Sequence, residues 1–283
     1  MTHENAPQMD QSGSVLSLSP ILQNAQTGRW RTEAMRSHAT PRLLYISKGQ
    51  GRITISGLTS GYGPNNLIFI PANTMYGFVV GPTVFGQMLT IPAAMASDWP
   101  EESAHLRLRD VIVQKEAQTQ FETIEREIKL GTSSHNRAAH YQLGILSVFF
   151  ERQLGLQDTS AVNAHRDTTA ARLVAAYADL VERDFRKGTS VRALAAQLGV
   201  TATHLTRCCN QTSGQSALAL LHNRIHFEAC MMLRETKTPI NHIARQLGFR
   251  SAAYFTRSFA AKAGMNPRDF REFGATHGSS QGY

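Results

Sequence analysis

Between residues 38 and 92 the apolar residues fall into short runs and alternations. Leu43-Leu-Tyr-Ile46 is a continuous apolar run, and Arg52-Ile-Thr-Ile-Ser56 alternates polar and apolar residues. Leu67-Ile-Phe-Ile70, Tyr76-Gly-Phe-Val-Val80 and Val84-Phe-Gly-Gln-Met-Leu-Thr-Ile91 are further runs of strand length, each ending beside or close to a proline. Lys48-Gly-Gln-Gly51 predicts a hairpin turn between the first two, and 57–66 reads as a loop. Short strands at this spacing predict a small antiparallel barrel. Ahead of them, residues 1–20 lack apolar periodicity and read as a mobile tail.

After the strands the period changes to that of helices. Residues 117–130 carry Phe121, Ile124, Ile128 and Leu130 mostly on one side, with Gly131 as the stop. Residues 136–154 place Tyr141, Ile145, Val148 and Phe149 at i, i+4, i+7 and i+8. This pair either packs on the barrel or carries a dimer interface. Residues 155–168 are polar and aperiodic, which predicts a flexible linker. A helix follows over 170–185, with Leu173, Val174, Tyr177, Leu180 and Val181 on one face.

A pattern then occurs twice. Ala195-Ala-Gln-Leu198-Gly199-Val200 precedes Thr203-His-Leu205-Thr206-Arg207. Ala244-Arg-Gln-Leu247-Gly248-Phe249 precedes Tyr254-Phe-Thr-Arg257. Each copy reads as a helix, a glycine turn and a second helix. Glycine suits the turn because it adopts positive φ without steric cost. Thr189 or Ser190 caps the first helix of the first copy, and Thr201 caps its second. Thr238 caps the second copy with Pro239 at the first helical position, and Ser251 caps its last helix. Leu205 and Cys209 point inward in the first copy, Phe255 and Phe259 in the second. A long helix over 216–233 bridges the two copies.

Charge strengthens this reading. Of 29 Lys+Arg and 21 Asp+Glu, 15 and 7 lie from residue 168 onward, which leaves 14 of each before it. The whole net charge of +8 therefore belongs to the C-terminal part, as expected for a polyanion partner. At 283 residues and 42% hydrophobic content the chain has room for two domains with real cores. It has no apolar run of membrane-spanning length, and its start lacks the layout of a signal peptide, so a cytoplasmic protein without membrane contact is expected. Cys208, Cys209 and Cys230 make no disulfide framework and no zinc pattern. Cys208 and Cys209 read as small buried hydrophobes, with a redox switch as the alternative.

Two resemblances follow. Gly49-Gln-Gly51, then Gly63-Pro-Asn-Asn-Leu-Ile-Phe-Ile-Pro71 and the aromatic residues after it, resemble a cupin barrel. Cupin enzymes hold a metal with a His-x-His pair, a Glu and a later His. Here there is no such pair past the first strand, Tyr76 stands at the later His position, and no His lies between His38 and His105. No metal, no cofactor and no catalytic residues are therefore assigned. A barrel mouth still suits a small ligand. The candidate lining is Trp30, His38, Arg42, Tyr45, Tyr76, Phe78 and Met88, with Arg29 and Arg31 as further holders of a carboxylate. Aromatic residues and Met at such positions serve equally as core.

The second resemblance covers about 170–273. ALAAQLGVTATHLTR, the bridging helix and IARQLGFRSAAYFTRSFAAKAGMNPRDFR resemble the DNA-binding domain of the AraC family of transcription regulators. The resemblance implies a regulator, an activator rather than a repressor, on promoter DNA with RNA polymerase, a homodimer answering a small-molecule effector, and not an enzyme. It implies base reading by Thr203, Thr206, Arg207, Ala252, Ala253, Thr256 and Arg257. Arg207 and Arg257 suit guanine, and Arg250, Ser251 and Lys262 suit phosphates. The alternatives are a constitutive regulator with a purely structural barrel, or a cupin enzyme fused to a DNA-binding domain.

The expected fold class is α+β: a cupin-like antiparallel β-barrel with two appended helices, then an all-α domain of two helix-turn-helix subdomains joined by a long helix. The expected segments are a tail (1–20), a ligand-sensing domain (21–100), a helical packing or dimerisation region (101–154), a linker (155–168), the DNA-binding domain (169–273) and a second tail (274–283).

Overall fold

A computed structural model describes residues 15–21, 30, 32–81, 83–157 and 168–278, with side chains described up to 272. The N-terminal part is built from two antiparallel sheets. The larger has the strand order β1 (Ser17–Pro20), β7 (Phe85–Thr90), β2 (Arg42–Lys48), β5 (Asn66–Ile70), β8 (Ala104–Arg107). The smaller has the order β4 (Leu58–Tyr62), β3 (Gly51–Ile55), β6 (Tyr76–Val79). The sheets face each other without hydrogen-bonding into a closed barrel among the described residues.

The large sheet is covered on both sides, which is why its inner strands are continuously apolar. Leu44, Ile46, Ile68 and Ile70 face the small sheet and join Ile53, Tyr76 and Phe78. Leu43, Tyr45, Leu67 and Phe69 face the opposite way, onto two helices. These are α1 (Val111–Leu130) and α2 (Ser133–Leu156). Asp110 caps α1 by accepting from the Ile112 and Val113 amides, and Gly131 ends it at φ 66°. Both helices start earlier than the apolar period alone predicts, because their caps, Asp110 and Thr132, lie outside the apolar stripe.

Five expectations are corrected. β2 and β3 are not a hairpin: β2 pairs with β5 and β7, while β3 pairs with β4 and β6. The turn at 48–51 instead carries the chain from one sheet to the other. The hairpin lies one strand later, where the supposed loop forms β4. Its turn is Ser56-Gly57, both at positive φ (48° and 74°), as a two-residue hairpin turn requires. Ser17–Pro20 is not tail but an edge strand on β7, where a proline is tolerated. The sheet also runs past residue 100 to β8, and α2 extends to Leu156, into the expected linker. The linker residues 158–167 and most of the expected tails, together with Arg29 and Arg31, lie outside the described residues.

The C-terminal domain is all helical: α3 (Thr169–Asp184), α4 (Val191–Gln197), α5 (Ala202–Ser213), α6 (Ala217–Glu235), α7 (Ile240–Gln246), α8 (Ala252–Ala263) and α9 (Pro267–Gly278). One apolar cluster runs through it, from Val174 and Tyr177 through Leu220 and Leu233 to Phe255 and Phe270. Met35 and Met75 from the N-terminal domain belong to the same cluster. The two domains are therefore packed on each other directly. No helix among the described residues is long and apolar enough to cross a membrane.

Candidate nucleic-acid interface

The two copies of the repeat fold by the same local bonds. In the first, Ser190 Oγ accepts from the Ala193 amide at 3.2 Å and starts α4. The helix ends at Gly199, φ 70°, where the Val200 amide donates to Ala195 O at 3.0 Å. Thr201 Oγ1 then accepts from the His204 amide at 3.2 Å and starts α5. In the second copy Gly248 has φ 78°, and the Phe249 amide donates to Ala244 O at 2.9 Å. Ser251 Oγ accepts from the Tyr254 amide at 3.4 Å and starts α8. The copies differ at the entry to α7. Thr238 does not cap it: Pro239 holds the cap position without a side-chain bond, and the Thr238 carbonyl instead accepts from Arg271 at 2.6 Å.

α5 and α8 each bury one face and offer the other. Leu205, Cys208, Cys209 and Thr212 are buried in α5, whereas Thr203 and Arg207 are exposed and Thr206 half-buried. Phe255 and Phe259 are buried in α8, leaving Ala252, Ala253 and Arg257 exposed and Thr256 half-buried. Arg207 Nη2 donates to His204 Nδ1 at 3.0 Å, one turn back on the same exposed face. Arg257 has neither an ion pair nor a hydrogen bond among the described residues. Each helix thus presents one guanidinium with donors available to an outside acceptor.

A buried ion cluster ties α6 to α3 behind these faces. Arg224 Nε and Nη2 donate to the two Glu182 oxygens at 2.7 and 2.9 Å, and Nη1 donates to Glu228 at 2.9 Å. Its guanidinium lies 3.9 Å from the Phe185 ring centroid. Arg186 also donates to Glu228. The bridging helix is thereby fixed in rotation relative to the first unit.

Residues 194–272 match the helix-turn-helix domain family. Over 106 residues the chain is 26% identical to the multiple antibiotic resistance protein MarA of Escherichia coli, covering 38% of this chain and 84% of that one. This chain carries an AraC-type helix-turn-helix domain. An uncharacterised helix-turn-helix transcriptional regulator of Bacillus subtilis, YfiF, is 35% identical over 78 residues. That stretch is 28% of this chain, which spans only about a quarter of the relative's length (24%). Among solved structures, unsaturated fatty acid-bound ToxT of Vibrio cholerae aligns with TM-score 0.44 and 14% identity, covering 91% of this chain and 94% of that one.

Within the AraC-type domain the phosphate candidates divide. Arg250 and Ser251 are exposed beside the start of α8. Lys262 is exposed as well, but its ammonium is engaged, donating to Asn223 Oδ1 of α6, and desolvation pushes its pKa down to about 8. Tyr254, exposed on the first turn of α8 against Phe249, stands where the first copy has His204, so the repeat alone does not mark it as a contact residue. Cys208, Cys209 and Cys230 are all buried, and burial pushes the Cys209 thiol up to about 12.

The residues expected to line a ligand pocket are scattered. Trp30 packs between Phe227 and Phe270 of the AraC-type domain, at 5.9 Å from each. Arg42 is buried on Thr40 Oγ1 (2.6 Å) and neighbouring carbonyls. Tyr45 points to the helical side of the large sheet, stacked on Phe121 at 5.0 Å, because alternation along β2 sends it away from the small sheet. Tyr76, Phe78 and Met88 do lie between the sheets, with the Tyr76 hydroxyl 3.9 Å from Met88 Sδ, and His38 packs against Tyr76. Desolvation, then the charges of Arg42, Arg36 and Arg224, hold His38 well below the usual imidazole range. Among the described residues no three His, Cys, Asp or Glu side chains are grouped to hold a metal ion.

A cavity of about 570 Å³ opens elsewhere, at the seam between edge strands β4 and β8. Ile55, Leu58, Tyr62 and Pro64 form its apolar wall, and Arg107 and Arg109 its basic one. None of the expected pocket residues lines it.

Proposed function

We propose that this chain is a sequence-specific transcription regulator of AraC type that binds promoter DNA through α5 and α8 and answers a small molecule in its N-terminal domain. The observation that carries this reading is the pair of exposed guanidiniums, Arg207 and Arg257, at matching positions on two capped helices behind one continuous core. A guanidinium fork fits guanine O6 and N7, and two such helices on one chain suit major-groove faces about one turn, roughly 34 Å, apart. Thr203, Thr206, Ala252, Ala253 and Thr256 are then the neighbouring contacts, and Arg250 and Ser251 the positioning ones.

Homodimerisation is supported by α2. It buries Leu143, Leu146, Phe149 and Phe150 but leaves Tyr141, Ile145 and Val148 exposed as a second apolar stripe at i, i+4 and i+7. Such a stripe suits a partner surface. Activation, with RNA polymerase as the further partner, rests on the family resemblance alone. The reading assigns no enzyme activity. In vitro selection of DNA sites tests it: the chain is expected to enrich a defined motif, and Arg257→Ala to relax one base position. Enrichment of no motif overturns sequence-specific binding.

A further inference from the structure

The cavity between β4 and β8 has no role in the reading above, and its two walls differ in chemistry. On one side stand Ile55, Leu58, Tyr62 and Pro64. On the other stand Arg107 and Arg109, and neither forms an ion pair or side-chain hydrogen bond among the described residues. The base between them is rigid. Asn66, buried, accepts from the Gly63 amide at 3.3 Å and donates to Pro64 O at 3.1 Å, which identifies its Oδ1 and Nδ2. Oδ1 also lies 2.7 Å from His105 Nε2, so that nitrogen carries the proton, and Ser60 Oγ lies 3.4 Å from Nδ1. The His105 ring thereby links β4 to β8 and β5 across the seam. A volume of this size matches a small metabolite.

The apolar wall also reaches the AraC-type domain. Leu58 and Thr59 belong to the β3–β4 hairpin, and the tip of that hairpin rests on the AraC-type domain. Thr212 Oγ1 donates to Gly57 O at 3.0 Å, and Thr59 Oγ1 lies 3.3 Å from Ser213 O. A Cβ on Gly57 would stand 2.4 Å from Val174 Cγ1. Thr212 and Ser213 are the last two residues of α5, the first recognition helix. One short hairpin therefore touches the cavity on one side and α5 on the other.

We propose that the β4–β8 seam binds a small organic anion with an apolar body. Arg107 and Arg109 take its acid group, Leu58 and Tyr62 cover its body, and occupancy is passed to α5 through the β3–β4 hairpin. This deepens the effector-responsive reading, since it supplies the site, the ligand class and the route.

The test uses the full chain and two probes of matched shape, anionic 8-anilinonaphthalene-1-sulfonate and neutral N-phenyl-1-naphthylamine. Saturable one-site binding of the anionic probe is expected. The double variant Arg107→Gln/Arg109→Gln should raise its Kd at least tenfold and leave the neutral probe within twofold. Ser60→Trp, at an exposed position on the rim, should displace both. Amide exchange in 57–62 and in the last turn of α5 should slow when the anionic probe binds. Absence of saturable binding, an unchanged Kd in the double variant, or unchanged exchange in α5 overturns the proposal. The broader reading fails separately. If the probe behaves as expected but no metabolite alters DNA affinity, the site stands without the regulator. An effector that alters DNA affinity and binds the double variant normally overturns the site and leaves the regulator.

Discussion

Gly188 and Gly248 meet backbone to backbone: a Cβ on Gly248 would lie 2.2 Å from Gly188 N, and one on Gly188 would lie 2.5 Å from Gly248 O. The turn of the second helix-turn-helix unit thus rests on the turn that enters the first. Gly199, the equivalent of Gly248 in the first unit, has nothing within 4 Å of its Cβ position. Both equivalents need positive φ, but only Gly248 also needs the missing side chain. Gly199→Ala should cost about 1 kcal/mol, the strain of the left-handed conformation. Gly248→Ala should add roughly 1–3 kcal/mol for overpacking against backbone. Denaturant unfolding of both variants checks this, and equal losses would show that the contact yields freely.

The two arginines on the recognition helices should read DNA independently. Arg207→Ala and Arg257→Ala are each expected to weaken specific binding by about 1–3 kcal/mol and relax one base position. Arg250→Ala should weaken binding to all sequences alike and lower its salt dependence. The first helix also offers Thr203 and Thr206, the second two alanines, so exchanging the outward residues should shift more specificity away from α5 than from α8. Binding titrations on selected and scrambled sites distinguish these effects.

Arg36 and Arg224 are both buried, yet only one is paired. The two terminal nitrogens of Arg36 have no hydrogen-bond partner, and its guanidinium lies 4.8 Å from the Tyr76 and Phe78 ring centroids. Arg224 holds Glu182 and Glu228. Replacing an unpaired buried charge removes a desolvation penalty, whereas removing one partner of a buried cluster strands the others. Arg36→Met should therefore raise Tm, and Arg224→Met should lower stability by about 3–5 kcal/mol. A fall in Tm for Arg36→Met would mean that the aromatic box more than offsets the desolvation.

Acid should weaken the AraC-type domain through His226. Desolvation, with a smaller effect of Lys262, lowers its pKa to about 4, against about 6.5 for an unfolded histidine. The unfolded chain binds the proton first. Stability is then full above about pH 6.5 and falls as the pH drops towards 4, by at most about 3 kcal/mol. His38, also lowered, adds a slope of the same sign. Urea unfolding between pH 4 and 7 should show a shallower slope for His226→Phe, and an unchanged slope would remove His226 as the cause.

Tyr141, Ile145 and Val148 should hold a dimer. Changing Ile145 and Val148 to Glu is expected to give a monomer by sedimentation, with the helical content unchanged because both positions are exposed. A wild-type chain that sediments as a monomer at micromolar concentration would count against the interface.

The legible part of the fold was the part held by local bonds. Thr201, Ser251, Gly199 and Gly248 satisfy backbone groups within a few residues, so their types and spacing specify the turns directly. The outward places of Arg207 and Arg257 follow from helical period once the inward residues are known. Less legible was anything settled between distant segments. The run Leu43–Ile46 does not say that its two faces meet different layers, so Tyr45 was expected in the pocket and lies against α1. The stripe of α2 gave one apolar face, and packing divided it into a buried side and an exposed one.

The sequence by itself determined two helix-turn-helix units, their caps and turns, a strand-rich domain before them and the placement of positive charge. These depend on residue type, period and spacing, which act within one or two turns of chain. Tertiary structure alone decided that β2 and β3 part into separate sheets, that Gly188 meets Gly248, and that Arg107 and Arg109 face Leu58 and Tyr62 across a seam. Each joins residues far apart in the chain, and what brings them together is the burial of surfaces with no local partner, which period and spacing do not encode.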